Sequence, residues 1–147
     1  VTLVDRQTES LLDLEPDPRA TVVQADLEDG SPWPLNEKFA GVVVVNYLHR
    51  PLTENLLESL EPGGLLIYET FARGNENFSR PRNPDHLLKS GELLQMVLGR
   101  LQVIAYEHGI REKSPLPGVI QRICAVNNLG QSVREDREPQ VLNLEPY

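Results

Sequence analysis

The apolar positions of the chain fall into short β-rich runs separated by helical and turn-forming stretches, and the strongest run is Val42–Val45. Four consecutive valines predict a strand buried on both faces, because β-branched side chains pack well on a pleated surface. The run stops in Asn46-Tyr47-Leu48-His49-Arg50 before Pro51. Pro51 disfavours helix at Arg50 and suits the first turn of a new one. A parallel strand that delivers polar groups at its C-terminal end is where open α/β sheets bind ligands.

The remaining pattern fits around that strand. Val1–Asp5 and Thr21–Leu27 predict two strands, each carrying an acid at its end, Asp5 and Asp26. Gln7–Glu15 predicts a helix with Thr8 as cap, broken by Pro16-Asp17-Pro18. Leucines at 52, 56, 57 and 60 give one apolar helical face. Pro62-Gly63-Gly64 then turns the chain into a strand over Leu65–Phe71. The Gly-, Asn-, Pro- and Arg-rich stretch 72–90 predicts a long excursion, of the kind that is usually functional or mobile. Gly91–Leu98 reads as a short helix, and Leu101–Tyr106 and Val119–Val126 as a closing strand pair with a Pro/Gly-rich connection.

The order is alternating strands and helices followed by two strands without a helix between them. It predicts an α/β, doubly wound, mostly parallel sheet with helices on both faces and one antiparallel strand near the C-terminal edge. The expected domain spans 1–127, followed by a polar tail over 128–147.

Composition narrows the function classes. A net charge of −8 over 147 residues argues against a general nucleic-acid binder. No apolar run reaches the length of a membrane span, and a single cysteine, Cys124, excludes an internal disulfide framework and fits a reducing cytoplasm. Cys124 itself reads as an inert core thiol. Asp5 and Asp26 suit ribose hydroxyls and an amino group at neighbouring strand ends, or else are solvated acids. His49 offers a donor and acceptor at the sheet mouth, or a plain capping imidazole. Arg73, Arg80 and Arg82 suit an oxyanion or carboxylate, against the bland reading of solvated arginines. With three histidines in unrelated segments and one cysteine, no metal-ligand spacing appears.

The succession VTLVD, VVQADL, VVVVNYLHRPL, LEPGGLLIYETF and the final strand pair resembles class I S-adenosylmethionine-dependent methyltransferases. It looks nearest to small bacterial members of the tellurite-resistance/thiopurine-like group, over roughly residues 1–127. The resemblance implies S-adenosyl-L-methionine as cofactor, with Asp5 and Arg6 at its ribose, Asp26 and Leu27 at its adenine, and Asn46, Tyr47 and Leu48 alongside. It also implies that Tyr68 and Arg73 face a small-molecule acceptor and that His49 or Glu69 serves as base where the acceptor must lose a proton. In this Rossmann-like fold a further strand and glycine-rich loop are expected before Val1, lying between the strands that end at Asp5 and Tyr47. Two alternatives stand beside methyl transfer: a degenerate, non-catalytic binding module, and a nicotinamide-dependent oxidoreductase.

Overall fold

The computed structural model describes residues 1–14, 16–113, 117–130, 134, 136 and 138–142. The chain divides into two units, 1–37 and 38–147. The polar tail expected over 128–147 and the connection expected near 114–116 lie partly outside the described residues.

The first unit holds two parallel strands, β1 (Thr2–Asp5) and β2 (Thr21–Gln24), with Asp5 opposite Gln24. Between them Glu9–Leu14 winds as a 3₁₀ helix, not the expected α-helix. Six residues are too few to sustain an α-helix without packing, and none of these six is buried. Asp26 lies two residues beyond the end of β2 instead of on it.

The second unit holds a four-stranded sheet in the order β3-β4-β6-β5. The strands are β3 (Phe39–Val45), β4 (Leu60–Phe71), β5 (Gln102–Arg111) and β6 (Gly118–Val126). β3 runs parallel to β4, whereas β6 is antiparallel to both β4 and β5. Among the described strands two pairings are parallel and two antiparallel, so the sheet is mixed. The reversed strand is β6, and it sits inside the sheet with β5 at the edge. No helix of the described residues is long and apolar enough to cross a membrane.

Two short helices, α1 (Thr53–Glu58) and α2 (Glu92–Val97), bury Leu56, Leu57, Leu93 and Val97. They pack on the sheet face that carries Val44, Leu66, Tyr68, Thr70, Gln121, Ile123 and Ala125, all buried. The opposite face is different. Val43 is 66% exposed and Val45 56%, while Val44 between them is 8% exposed. The valine run therefore alternates in and out like a strand covered on one side, contrary to the expectation of two buried faces. In this unit the described helices cover one face only.

Candidate functional site

The site is built where β3 and β4 end together. β3 stops because Asn46 enters the left-handed region at φ 54°. Asparagine tolerates that conformation because its short amide bonds locally, whereas β-branched residues resist it. The Asn46 N–H donates to the Glu69 carbonyl at 2.9 Å, which fixes the turn against β4. Tyr68 supports the same turn from below, donating its hydroxyl to the Tyr47 carbonyl at 2.9 Å. Burial, with Tyr47 and Glu92 nearby, raises the Tyr68 phenol well above its ordinary value, so it stays protonated and remains a donor. Its side chain lies in the core, supporting the mouth by way of Tyr47.

His49 begins the next turn, with extended backbone and its carbonyl accepting from Leu52 N–H at 3.1 Å. Its imidazole makes no capping hydrogen bond. Tyr47, Leu48 and His49 are all half-buried, and Asn46 is exposed. Glu69, on the open face of β4, is held differently. Arg111 Nη1 lies 2.5 Å from its Oε1, and Arg122 Nη1 lies 3.7 Å from its Oε2. Arg122 in turn pairs with Glu107, forming a charged row across β4, β6 and β5.

The excursion that follows β4 is anchored at both ends. Ala72 bridges to Leu88, and the Arg73 N–H donates to the Leu88 carbonyl at 3.0 Å. Asn75 is fully buried and organises the middle. Its Nδ2 donates to the Ser79 and Pro81 carbonyls at 3.4 and 3.1 Å, and its Oδ1 accepts from Val119 N–H at 3.3 Å. Arg50 secures the far side, donating to the Asp85 and Leu87 carbonyls at 2.6 and 3.1 Å and pairing with Glu92. Arg73 itself projects into solvent.

In the first unit, Asp5 and Asp26 do the same local job. Asp5 Oδ1 accepts from the Gln7 N–H at 2.8 Å, and Asp26 Oδ1 accepts from the Glu28 N–H at 2.9 Å. Each carboxylate thus closes its own turn with one oxygen. For both, Oδ2 accepts no hydrogen bond among the described residues. The Ala25 N–H donates to the Asp5 carbonyl at 3.0 Å, so the two acids share the C-terminal edge of the β1–β2 pair. Arg6 and Asp26 are exposed and Leu27 is half-buried.

Within the second unit, Asn46, Tyr47, Tyr68 and Glu69 come together at one mouth, and Arg73 follows on the anchored excursion. Sequence reasoning missed Arg111, Asn75 and Gln121. Gln121 is fully buried and accepts from Leu93 N–H and Tyr106 Oη while donating to the Lys89 carbonyl. A buried amide needs such partners, but no local spacing announces them. The nearest sequence signal was a polar residue, Gln121, inside the apolar run of β6.

No family model matches the sequence, and no curated protein matches it. Solved structures do. TehB from Haemophilus influenzae superposes with a TM-score of 0.68 at 14% identity, covering 86% of this chain and 49% of that one. The N-methyltransferase NodS from Bradyrhizobium japonicum WM9 gives a TM-score of 0.62 at 14% identity, over 86% of this chain and 72% of NodS. NodS is also similar in its complex with S-adenosyl-L-homocysteine, at a TM-score of 0.61. A SAM-dependent methyltransferase from Methanosarcina mazei gives 0.58 at 15% identity, over 86% and 81% of the two chains. The chain thus has the fold of class I SAM-dependent methyltransferases, and it spans about half the length of TehB.

Proposed function

We propose that the chain forms part of a cytoplasmic enzyme that transfers a methyl group from S-adenosyl-L-methionine to a small-molecule acceptor. The observation that carries this reading is the fold itself, with the reversed β6 set between β4 and β5. The same feature argues against a nicotinamide-dependent oxidoreductase, for which a wholly parallel sheet is expected.

The polar groups present suit the cofactor's nucleoside. Asp5 and Asp26 each keep one carboxylate oxygen uncommitted at the C-terminal edge of a parallel pair, which suits hydroxyl and amino donors. Leu27 adds an apolar neighbour for a ring. Arg6 joins them in the first unit, and Asn46, Tyr47 and Leu48 of the second unit are proposed as cofactor contacts on the resemblance alone. When bound, the cofactor supplies an activated methyl group on a sulfonium. The protein's task is then to position the acceptor and exclude water. Arg73 is proposed to face that acceptor and Tyr68 to hold the wall behind it. His49, with no capping bond, is the better candidate base where a proton must leave. Glu69, engaged by Arg111 and Arg122, better serves as a fixed negative element of the wall.

Calorimetric titration with S-adenosylhomocysteine tests the reading. The expected result is binding that Asp5→Ala weakens at least tenfold, since each charge-assisted hydrogen bond contributes about 1.5–3 kcal/mol. Binding that persists unchanged in Asp5→Ala removes Asp5 from the site. Binding without methyl transfer to any acceptor would favour a degenerate binding module.

A further inference from the structure

The excursion over 72–90 is a positive island in an acidic protein. Arg73, Arg80, Arg82 and Lys89 face only Glu76 and Asp85 as acids within it, so the segment carries net +2 in a chain of net −8. Arg73, Arg80 and Arg82 are exposed, and none forms an ion pair among the described residues. Among the other described arginines only Arg6 is likewise without an ion pair, whereas Arg19, Arg50, Arg100, Arg111, Arg122 and Arg134 each pair with a carboxylate. Glu76 pairs with none of the three among the described residues, and its Oε2 accepts from the Gly74 N–H at 2.8 Å.

The three arginines also stand on an ordered frame. The Asn75 amide draws the Ser79 and Pro81 carbonyls back over its own turn, so the backbone on both sides of Pro81 is gathered beside the residues that follow Arg73. Phe78 belongs to the same turn, its N–H donating to the Asn75 carbonyl at 2.8 Å, and its ring is 43% exposed. Three uncommitted guanidinium groups and an exposed phenyl ring therefore share one anchored loop directly after β4. Guanidinium groups match carboxylate geometry, and a phenyl ring gives a flat apolar body a surface to lie on.

We propose that this loop recognises the acceptor, and that the acceptor is a small planar molecule carrying a carboxylate or similar anionic group. Arg73, Arg80 and Arg82 bind the anion, and Phe78 packs against the apolar body. The assignment of the bound molecule as acceptor rests on the methyltransferase reading. The acidity of the rest of the chain disfavours a polyanion such as RNA, which would meet repulsion outside the loop.

The test uses the 147-residue chain with benzoate as probe and benzamide as its neutral counterpart, at constant ionic strength. The expected result is that benzoate, and not benzamide, shifts the Nε–H resonances of the three arginines. Each single change, Arg73→Gln, Arg80→Gln or Arg82→Gln, should raise the benzoate Kd about threefold to tenfold. Arg100→Gln should leave it unchanged. Because the three side chains are exposed, thermal unfolding of these variants should match the parent. Equal response to benzoate and benzamide, or full affinity in the triple variant, overturns the proposal. So does a single-stranded oligonucleotide that binds the same arginines more tightly than benzoate. S-adenosylhomocysteine titrated in parallel keeps the two readings apart. Lost benzoate binding with retained S-adenosylhomocysteine binding removes the anion site alone, and the reverse removes the proposed cofactor contacts of this chain alone.

Discussion

Arg50 grips Glu92 with two nitrogens, Nε to Oε1 at 2.6 Å and Nη2 to Oε2 at 3.1 Å, across 42 positions of sequence. The same guanidinium holds the Asp85 and Leu87 carbonyls. One side chain in the turn that follows β3 thus ties down both the excursion over 72–90 and the start of α2.

The first expectation concerns that pair and its pH dependence. Burial alone would raise the Glu92 carboxyl, but hydrogen bonds from Arg50 and the Lys89 N–H bring it below its ordinary value near 4.5. A carboxyl with a depressed folded pKa binds fewer protons in the folded state. Its stabilisation is therefore present above the unfolded value and is lost as pH falls through the folded one. Arg50→Ala should cost about 1–2 kcal/mol at pH 7, a modest figure because the pair is partly solvated. The gap between variant and parent should narrow below about pH 4, as Glu92 takes up a proton in both. Urea unfolding from pH 7 to 3 measures it, and a gap independent of pH would assign the cost to the carbonyl contacts alone.

A second expectation concerns the fit between Gly118 and Asn75. A Cβ on Gly118 would lie 2.4 Å from Asn75 Oδ1 and 3.3 Å from Phe71 Cε1. Gly118→Ala must therefore displace the amide that gathers residues 79–81. Overpacking of this kind costs about 1–3 kcal/mol. Asn75→Ala should cost a similar amount, because it leaves the Val119 N–H and two carbonyls without their partner. If the contact is shared, the double variant should lose less than the two single losses together. Strict additivity in thermal unfolding would show that the two residues act separately.

The strands of the second unit were legible because their patterns are local. β6 begins one residue before its expected position, β3 contains the whole valine run, and the helices α1 and α2 fall inside the expected stretches. Elements set by distant partners were not. Pro62-Gly63-Gly64 reads locally as a turn, yet the extended run starts at Leu60. The Asn127 backbone pairs there with Gly63 and Gly64, and its amide holds the Leu60 and Glu61 carbonyls. β5 continues to Arg111 for a similar reason, its final residues paired along β6 and Arg111 bound to Glu69. The exposure of Val43 and Val45 was hidden too, because four valines read alike whichever face is covered. In the site, Asn46 and Glu69 were legible by position at strand ends. Their orientation depended on a left-handed turn and on Arg111, neither of which local spacing encodes.

The third expectation separates the backbone of Asn46 from its side chain. Its φ of 54° lies in the left-handed region, where an ordinary L-residue is disfavoured by about 1–2 kcal/mol. Asn46→Ala should therefore destabilise the protein by about 1 kcal/mol, even though the residue is exposed and its side chain contributes little packing. Asn46→Gly removes the side chain without that strain, so its stability should stay within about 0.5 kcal/mol of the parent. The pair of variants then distinguishes two roles at the mouth. If the Asn46 amide contacts the cofactor, both lose S-adenosylhomocysteine affinity, by roughly fivefold to tenfold for one lost hydrogen bond. If the residue serves only to turn the chain and present its N–H to the Glu69 carbonyl, glycine binds as the parent does and alanine binds more weakly. Chemical denaturation and calorimetry on the same two proteins give both readings. Alanine matching glycine in stability would mean the turn relaxes without its left-handed residue, and the proposed geometry of the mouth would fall with it.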